Sequence, residues 1–309
     1  MSAVFVGHGL LAFAIVALAA ERLGWSRETA LRLGVVAALL GTLPDVDIVY
    51  ALTGLVGIEP TTTALVDSFW STGNQVHRGV THSLVVGLVT AAGVALAARP
   101  SRSAQSAGNA VIWGLVAVVF VISGPLAAVI AAAFAAGAAA LVVVAVRADL
   151  PPAGVGAAAL VGLCLHPFGD LFTGAPPDVL YPFDVTVFAD RVLLASDPTL
   201  HLLAAFGVEL TIVWAALAVY FHLTGRRLRD HVDYRAVPGV GYAGAAVAIP
   251  SPTVDVAYQF VFSVLAVGAL GLAPPPRDRI RSWRGATTAL AAVTLAAIAY
   301  AVGYLYLFG

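Results

Sequence analysis

The chain has 309 residues, of which 60% are hydrophobic and only 11% charged. Soluble domains are usually about 25% charged, so this one lacks the polar side chains to cover a water-facing surface. A net charge of −1 leaves no basic field for nucleic acid. The lone Cys164 excludes an intramolecular disulfide and any cysteine-based zinc motif, so a metal would have to take His and carboxylate ligands.

A bilayer core is crossed by about 20 apolar residues in a helix. Read against that length, the apolar runs predict spans near 3–20, 31–50, 80–98, 110–123, 126–146, 155–172, 200–224 and 286–308. Ala17-Leu18-Ala19 fits a signal-cleavage pattern, but no Lys or Arg precedes it, so the first run is expected to be a retained span. Ser123-Gly124-Pro125 divides the long run 110–146. Ile249-Pro250-Ser251-Pro252 breaks the apolar stretch 239–273, because proline ends helices; short or re-entrant segments are expected there. The predicted fold is an all-α, polytopic transmembrane bundle with about eight to ten membrane segments. Residues 196–309 add further helices to the same membrane domain as 1–195.

Short cytoplasmic loops carry the basic excess. Of the 16 basic residues, all of them Arg, 14 fall on alternating loops: Arg22, Arg27 and Arg32, then Arg99 and Arg102, Arg147, Arg226 to Arg235, and Arg277 to Arg284. That side is expected to be cytoplasmic, with the N-terminus outside. The loops at 226–235 and 277–284 are expected to meet anionic lipid headgroups. The intervening loops, about 44–79 and 173–199, hold Arg78 and Arg191 and many Asp.

The unusual polar residues fall into five clusters. They are His8 between two glycines, Leu43-Pro44-Asp45-Val46-Asp47, His77-Arg78-Gly79-Val80-Thr81-His82-Ser83, His166-Pro167-Phe168-Gly169-Asp170, and Tyr181-Pro182-Phe183-Asp184. The Arg-based topology puts all five at the outer membrane face. Carboxylates at bilayer depth are costly and usually functional. His166 and Asp170, four apart, share one side of a helix; they can hold one ion, or the Asp can orient the His. His77 is expected on the loop and His82 in the first helical turn, with Thr81 or Ser83 as cap. His201 and Glu209 either join the site or pair with another helix.

LPDVD, HRGVTHS and HPFGDLFTGAPPDVLYPFD closely resemble the YdjM-like membrane-bound metal-dependent hydrolases. The resemblance covers about residues 1–195 and marks them as a membrane-embedded hydrolase-like region. That family is distantly similar to the zinc-dependent phospholipase C and single-strand nuclease superfamily, whose His and Asp residues hold metal ions that cleave phosphoesters. The resemblance implies His8, one or both of Asp45 and Asp47, His77, His82, His166 and Asp170 as ligands to one or two divalent ions.

Ligands of this kind suit zinc, or manganese where carboxylates dominate. The expected activity is metal-dependent hydrolysis at the extracytoplasmic face, with a lipid-linked phosphoester as substrate and membrane lipid as a partner. Asp47 or Asp45 is the expected general base. Arg78 is expected to steady charge on a phosphoryl group. Intramembrane His and Asp also build ion or proton relays in transporters, and a closed shell would make the cluster a non-catalytic scaffold.

Overall fold

The computed structural model describes residues 7–58, 61–73, 77–269 and 281–309. All regular structure among them is helical. The chain divides into two compact units, Val4–Val192 and Leu193–Gly309.

The first unit begins with α1, Gly7–Arg22, and α2, Arg27–Thr42. Gly24, at φ 87°, takes the left-handed turn between them, where a side chain would be strained. Ser26 then caps α2 by accepting from the Thr29 N–H at 3.1 Å. Past Thr42 the chain tightens into a 3-10 helix, Leu43–Leu55, which opens on Pro44 and carries Asp45 and Asp47. Helix α3, Thr62–Gly73, lies against it. A 3-10 turn, Val80–His82, leads into α4, Leu84–Ala97. Ser83 caps α4, accepting from the Val85 and Val86 N–H groups. Helix α6, Pro152–Gly169, ends in a 3-10 turn at Asp170–Phe172.

Between them runs α5, Arg102–Arg147, 46 residues long. A straight helix of that length would measure about 69 Å, against roughly 30 Å of bilayer hydrocarbon. Gly124 breaks it with φ 82° and ψ −173°, directly before Pro125. The predicted division falls at this point.

Helices α1, α2 and α6 pack against one another, and glycine makes that crossing tight. A Cβ on Gly162 would stand 2.6 Å from the Ala37 carbonyl oxygen and 2.9 Å from the Gly41 nitrogen. One on Gly41 would lie 3.2 Å from the Gly9 Cα. Small residues let helix backbones approach in a membrane, where burial of apolar surface supplies little drive.

The second unit contains α7, Pro198–Leu223, capped by Asp197, which accepts from the Leu200 N–H at 2.8 Å. Two 3-10 segments, Leu228–His231 and Tyr234–Gly244, follow. Then come α8, Ala245–Ala248, α9, Tyr258–Val267, and α10, Arg281–Phe308. Its core gathers Leu202, Phe260, Val264, Ala296 and Tyr300. The short pieces on either side of Pro250 and Pro252 match the broken stretch predicted there; residues 270–273 lie outside the described residues, as do Arg277 and Arg279.

Among the described residues, five helices are long and apolar enough to cross a membrane: Arg27–Leu55, Arg102–Arg147, Pro152–Phe172, Pro198–Leu223 and Trp283–Phe308. Phe120, Val121 and Ile122 on α5 and Val302, Leu305 and Tyr306 on α10 are exposed, as lipid-facing side chains are. The spans predicted near 3–20 and 80–98 are shorter here, 16 and 14 described helical residues; the predicted start at residue 3 lies outside the described residues. The protein is an all-helical, multi-pass membrane protein.

Candidate metal centre

Four separate segments of the first unit meet at one buried point. His8 comes from the start of α1, Asp45 and Asp47 from the 3-10 helix after α2, His77 and His82 from the turn before α4, and His166 and Asp170 from the end of α6. The side chains of His82 and His166 are fully buried, Asp170 is 2% exposed, and Asp45, at 24%, is the most open to the outside.

The donor atoms stand close together. His8 Nε2 is 3.1 Å from Asp45 Oδ2. Asp45 Oδ1 is 3.5 Å from His166 Nε2 and 3.7 Å from His82 Nε2. Asp170 Oδ2 is 3.1 Å from His82 Nε2 and 3.9 Å from His166 Nε2. An ion held tetrahedrally at about 2.0–2.1 Å keeps its ligands roughly 3.3 Å apart. These separations bracket that value.

The far nitrogens decide which ring atoms carry protons. His166 Nδ1–H donates to the Gly41 carbonyl at 2.6 Å, so its Nε2 presents a lone pair to the cluster. Asp47, fully buried, accepts from His77 Nδ1 at 2.9 Å and lies 3.3 Å from His82 Nδ1. The Thr81 hydroxyl donates to Asp47 Oδ2 at 2.8 Å and is 3.0 Å from His82 Nδ1, from which it can accept. His82 therefore turns Nε2 inward as an acceptor. Metal-binding histidines are held in this way, by a carboxylate or carbonyl on the opposite nitrogen.

Acceptors consequently face acceptors. His82 Nε2, His166 Nε2 and Asp170 Oδ2 are buried and make no hydrogen bond. Buried polar atoms are nearly always paired, and leaving one unpaired costs about 1–3 kcal/mol. Three such atoms around one point call for a cation, and these donors fit a divalent ion. Among the described residues, three overlapping groups have the reach to hold one: His8, Asp45 and His166; Asp45, His77 and His82; and His82, His166 and Asp170.

Arg78 takes a different position from the one its chemistry predicts. At φ 69° it occupies the left-handed region, rare for a side chain of its size. Its guanidinium is buried against Gly174. It donates to the Ala175 carbonyl at 2.6 Å and to the Thr173 hydroxyl at 3.4 Å, and pairs with Asp170 Oδ1 at 3.7 Å. The charge thus braces Asp170 and the loop behind it. The Arg78 carbonyl accepts from the Asp178 N–H at 3.1 Å, and Ser83 Oγ donates to the Tyr181 carbonyl at 2.7 Å, lacing the two motifs together.

Of the predicted site residues, His8, Asp45, His77, His82, His166 and Asp170 turn donors to the cluster. Asp47 stands behind His77 and His82, outside the three groups. Asp184 is exposed and belongs to none of them. His201 lies in the second unit, where its Nδ1 accepts from the Leu194 N–H at 3.1 Å. Sequence reasoning treated Thr81 only as a helix cap and missed the Gly41 carbonyl. The first sits within the HRGVTHS block; a backbone carbonyl leaves no sequence signal.

Residues 1–229 match the YdjM inner membrane protein family. No curated protein and no solved structure matches the chain. With most of its length covered, the chain belongs to the YdjM family, described as membrane-bound metal-dependent hydrolases.

Proposed function

We propose that this YdjM-family protein is a membrane-embedded hydrolase that works through divalent metal, with zinc the best-suited ion and a lipid-linked phosphoester the substrate. One observation carries the reading. Buried lone pairs from two distant sequence blocks face one another without hydrogen bonds, and Asp45 leaves the cluster partly open on one side.

When bound, an ion of this class supplies Lewis acidity and makes water acidic enough to act as hydroxide near neutral pH. The protein's residues prepare for it. Asp47 and the Gly41 carbonyl hold protons on the outer ring nitrogens, so that the inner ones bind. Arg78 holds the Asp170 carboxylate in place. Asp45, the more exposed acid, marks the side from which substrate reaches the cluster. Asp47 and Arg78 act as positioning residues in this scheme. The Arg pattern supports an extracytoplasmic site, within reach of lipid phosphate.

A second reading has its own support. A proton on His82 Nε2 would also satisfy Asp170 at 3.1 Å, as in a proton-coupled carrier. Elemental analysis of the purified protein, with a phosphoester screen in lipid micelles, separates the two. The hydrolase retains metal and loses turnover with a chelator. A protein that binds no zinc or manganese at micromolar concentration sinks the hydrolase reading and leaves the carrier.

A further inference from the structure

The three candidate ligand groups overlap, and the chemistry of their members limits how they can be used. A neutral imidazole has one lone pair and serves one ion, whereas a carboxylate can give an oxygen to each of two. His8 and His77 share no group, so a single ion does not gather every donor. The rings form a row: His8 to His166 at 4.0 Å, His166 to His82 at 4.5 Å, and His82 to His77 at 4.9 Å between centroids.

Asp45 lies along that row with its oxygens divided. Oδ2 is 3.1 Å from His8 Nε2, and Oδ1 faces His166 at 3.5 Å and His82 at 3.7 Å. Two of the three groups together use each imidazole once: His8 with His166, and His77 with His82. Asp45 is the one residue common to both. Asp170 Oδ2, buried and unpartnered, stands near His82 and His166, where the two groups adjoin.

We propose that the cluster holds two divalent ions side by side, with the Asp45 carboxylate giving one oxygen to each. This rests on the metal reading above and extends it from a site to a pair. Each ion then has three protein donors with Asp45 shared, and Asp170 lies between them. Paired ions in hydrolytic sites sit about 3.5–4 Å apart, suited to gripping a phosphoryl group across both. A phosphate ester is the substrate class that such spacing fits.

Manganese is the probe, because two neighbouring manganese ions couple magnetically and isolated ones do not. Full-length protein in nanodiscs, stripped and reloaded with manganese, should hold two ions per chain and give an exchange-coupled spectrum. Asp45→Asn should abolish the coupling. His8→Ala and His77→Ala, at opposite ends of the row, should each leave one ion and no coupling; they serve as the test should Asp45→Asn fail to fold. One ion per chain at saturation, two uncoupled ions, or coupling that survives these variants would overturn the pair. One ion with chelator-sensitive turnover would do so while leaving the hydrolase intact, and no bound ion would remove both.

Discussion

The two units bury polar side chains on opposite terms. In the second, hydroxyls close onto their own helices: Thr211 donates to the Gly207 carbonyl, Thr294 to that of Leu290, and Thr224 to that of Tyr220. Trp214 Nε1–H finds Thr294 Oγ1 at 3.0 Å, and Arg284 pairs with Asp233 at 2.8 Å. The buried Tyr300 hydroxyl, without a hydrogen bond, is an exception, alone among aromatic rings. In the first unit, Thr90 Oγ1 apart, the unpartnered atoms gather from distant segments and point at one another. Local closure is what a stable membrane helix needs. Convergent open lone pairs are what a ligand needs.

The largest effect expected from breaking that contrast belongs to Asp170. Asp170→Ala should lower metal affinity by more than the roughly 10–100-fold typical of an outer partner, read by competition with a chromophoric chelator, and abolish turnover. Asp47→Asn should fall within that 10–100-fold range, because it disturbs the protons on two ligands without removing either. Retention of full affinity would show that Asp47 does not orient them. Arg78→Lys keeps the charge but loses the planar fork. It should weaken metal binding by roughly 10-fold, again through an outer partner, and an unchanged affinity would remove its bracing role.

Gly162→Ala tests packing. Its Cβ would meet backbone at 2.6 Å, so a loss of about 1–3 kcal/mol is expected, measured by unfolding in detergent. The smallest effect is expected in the second unit: Thr294→Val should cost about 1 kcal/mol and leave metal content unchanged. A fall in bound metal there would blur the distinction between the units.

Much of this was legible in the sequence, for identifiable reasons. Apolar length and composition mark a membrane protein whatever the packing. The Gly124-Pro125 break follows from the limits of proline and bilayer thickness. The three motif blocks, together with His8, contain every donor that the structure brings together. The roles of Asp45 and Asp47 were not legible. Two residues apart on a 3-10 helix, they point about 120° away from each other, one to the cluster and one behind it. Pro44 marks the end of α2, but nothing in LPDVD announces that a 3-10 helix follows. The contacts of Arg78 were hidden too: its type suggests a phosphate contact, whereas its guanidinium pairs with Asp170 from a left-handed backbone position.

The bond from His166 to Gly41 lies where α1, α2 and α6 cross, so helix assembly and cation occupancy are thermodynamically linked. Whatever binds only the assembled form stabilises it, by about 2.7 kcal/mol at a free concentration one hundred times its dissociation constant. A chelator should therefore loosen the embedded bundle as well as silence it, and trace metal in the surrounding medium would help set how long the folded protein survives.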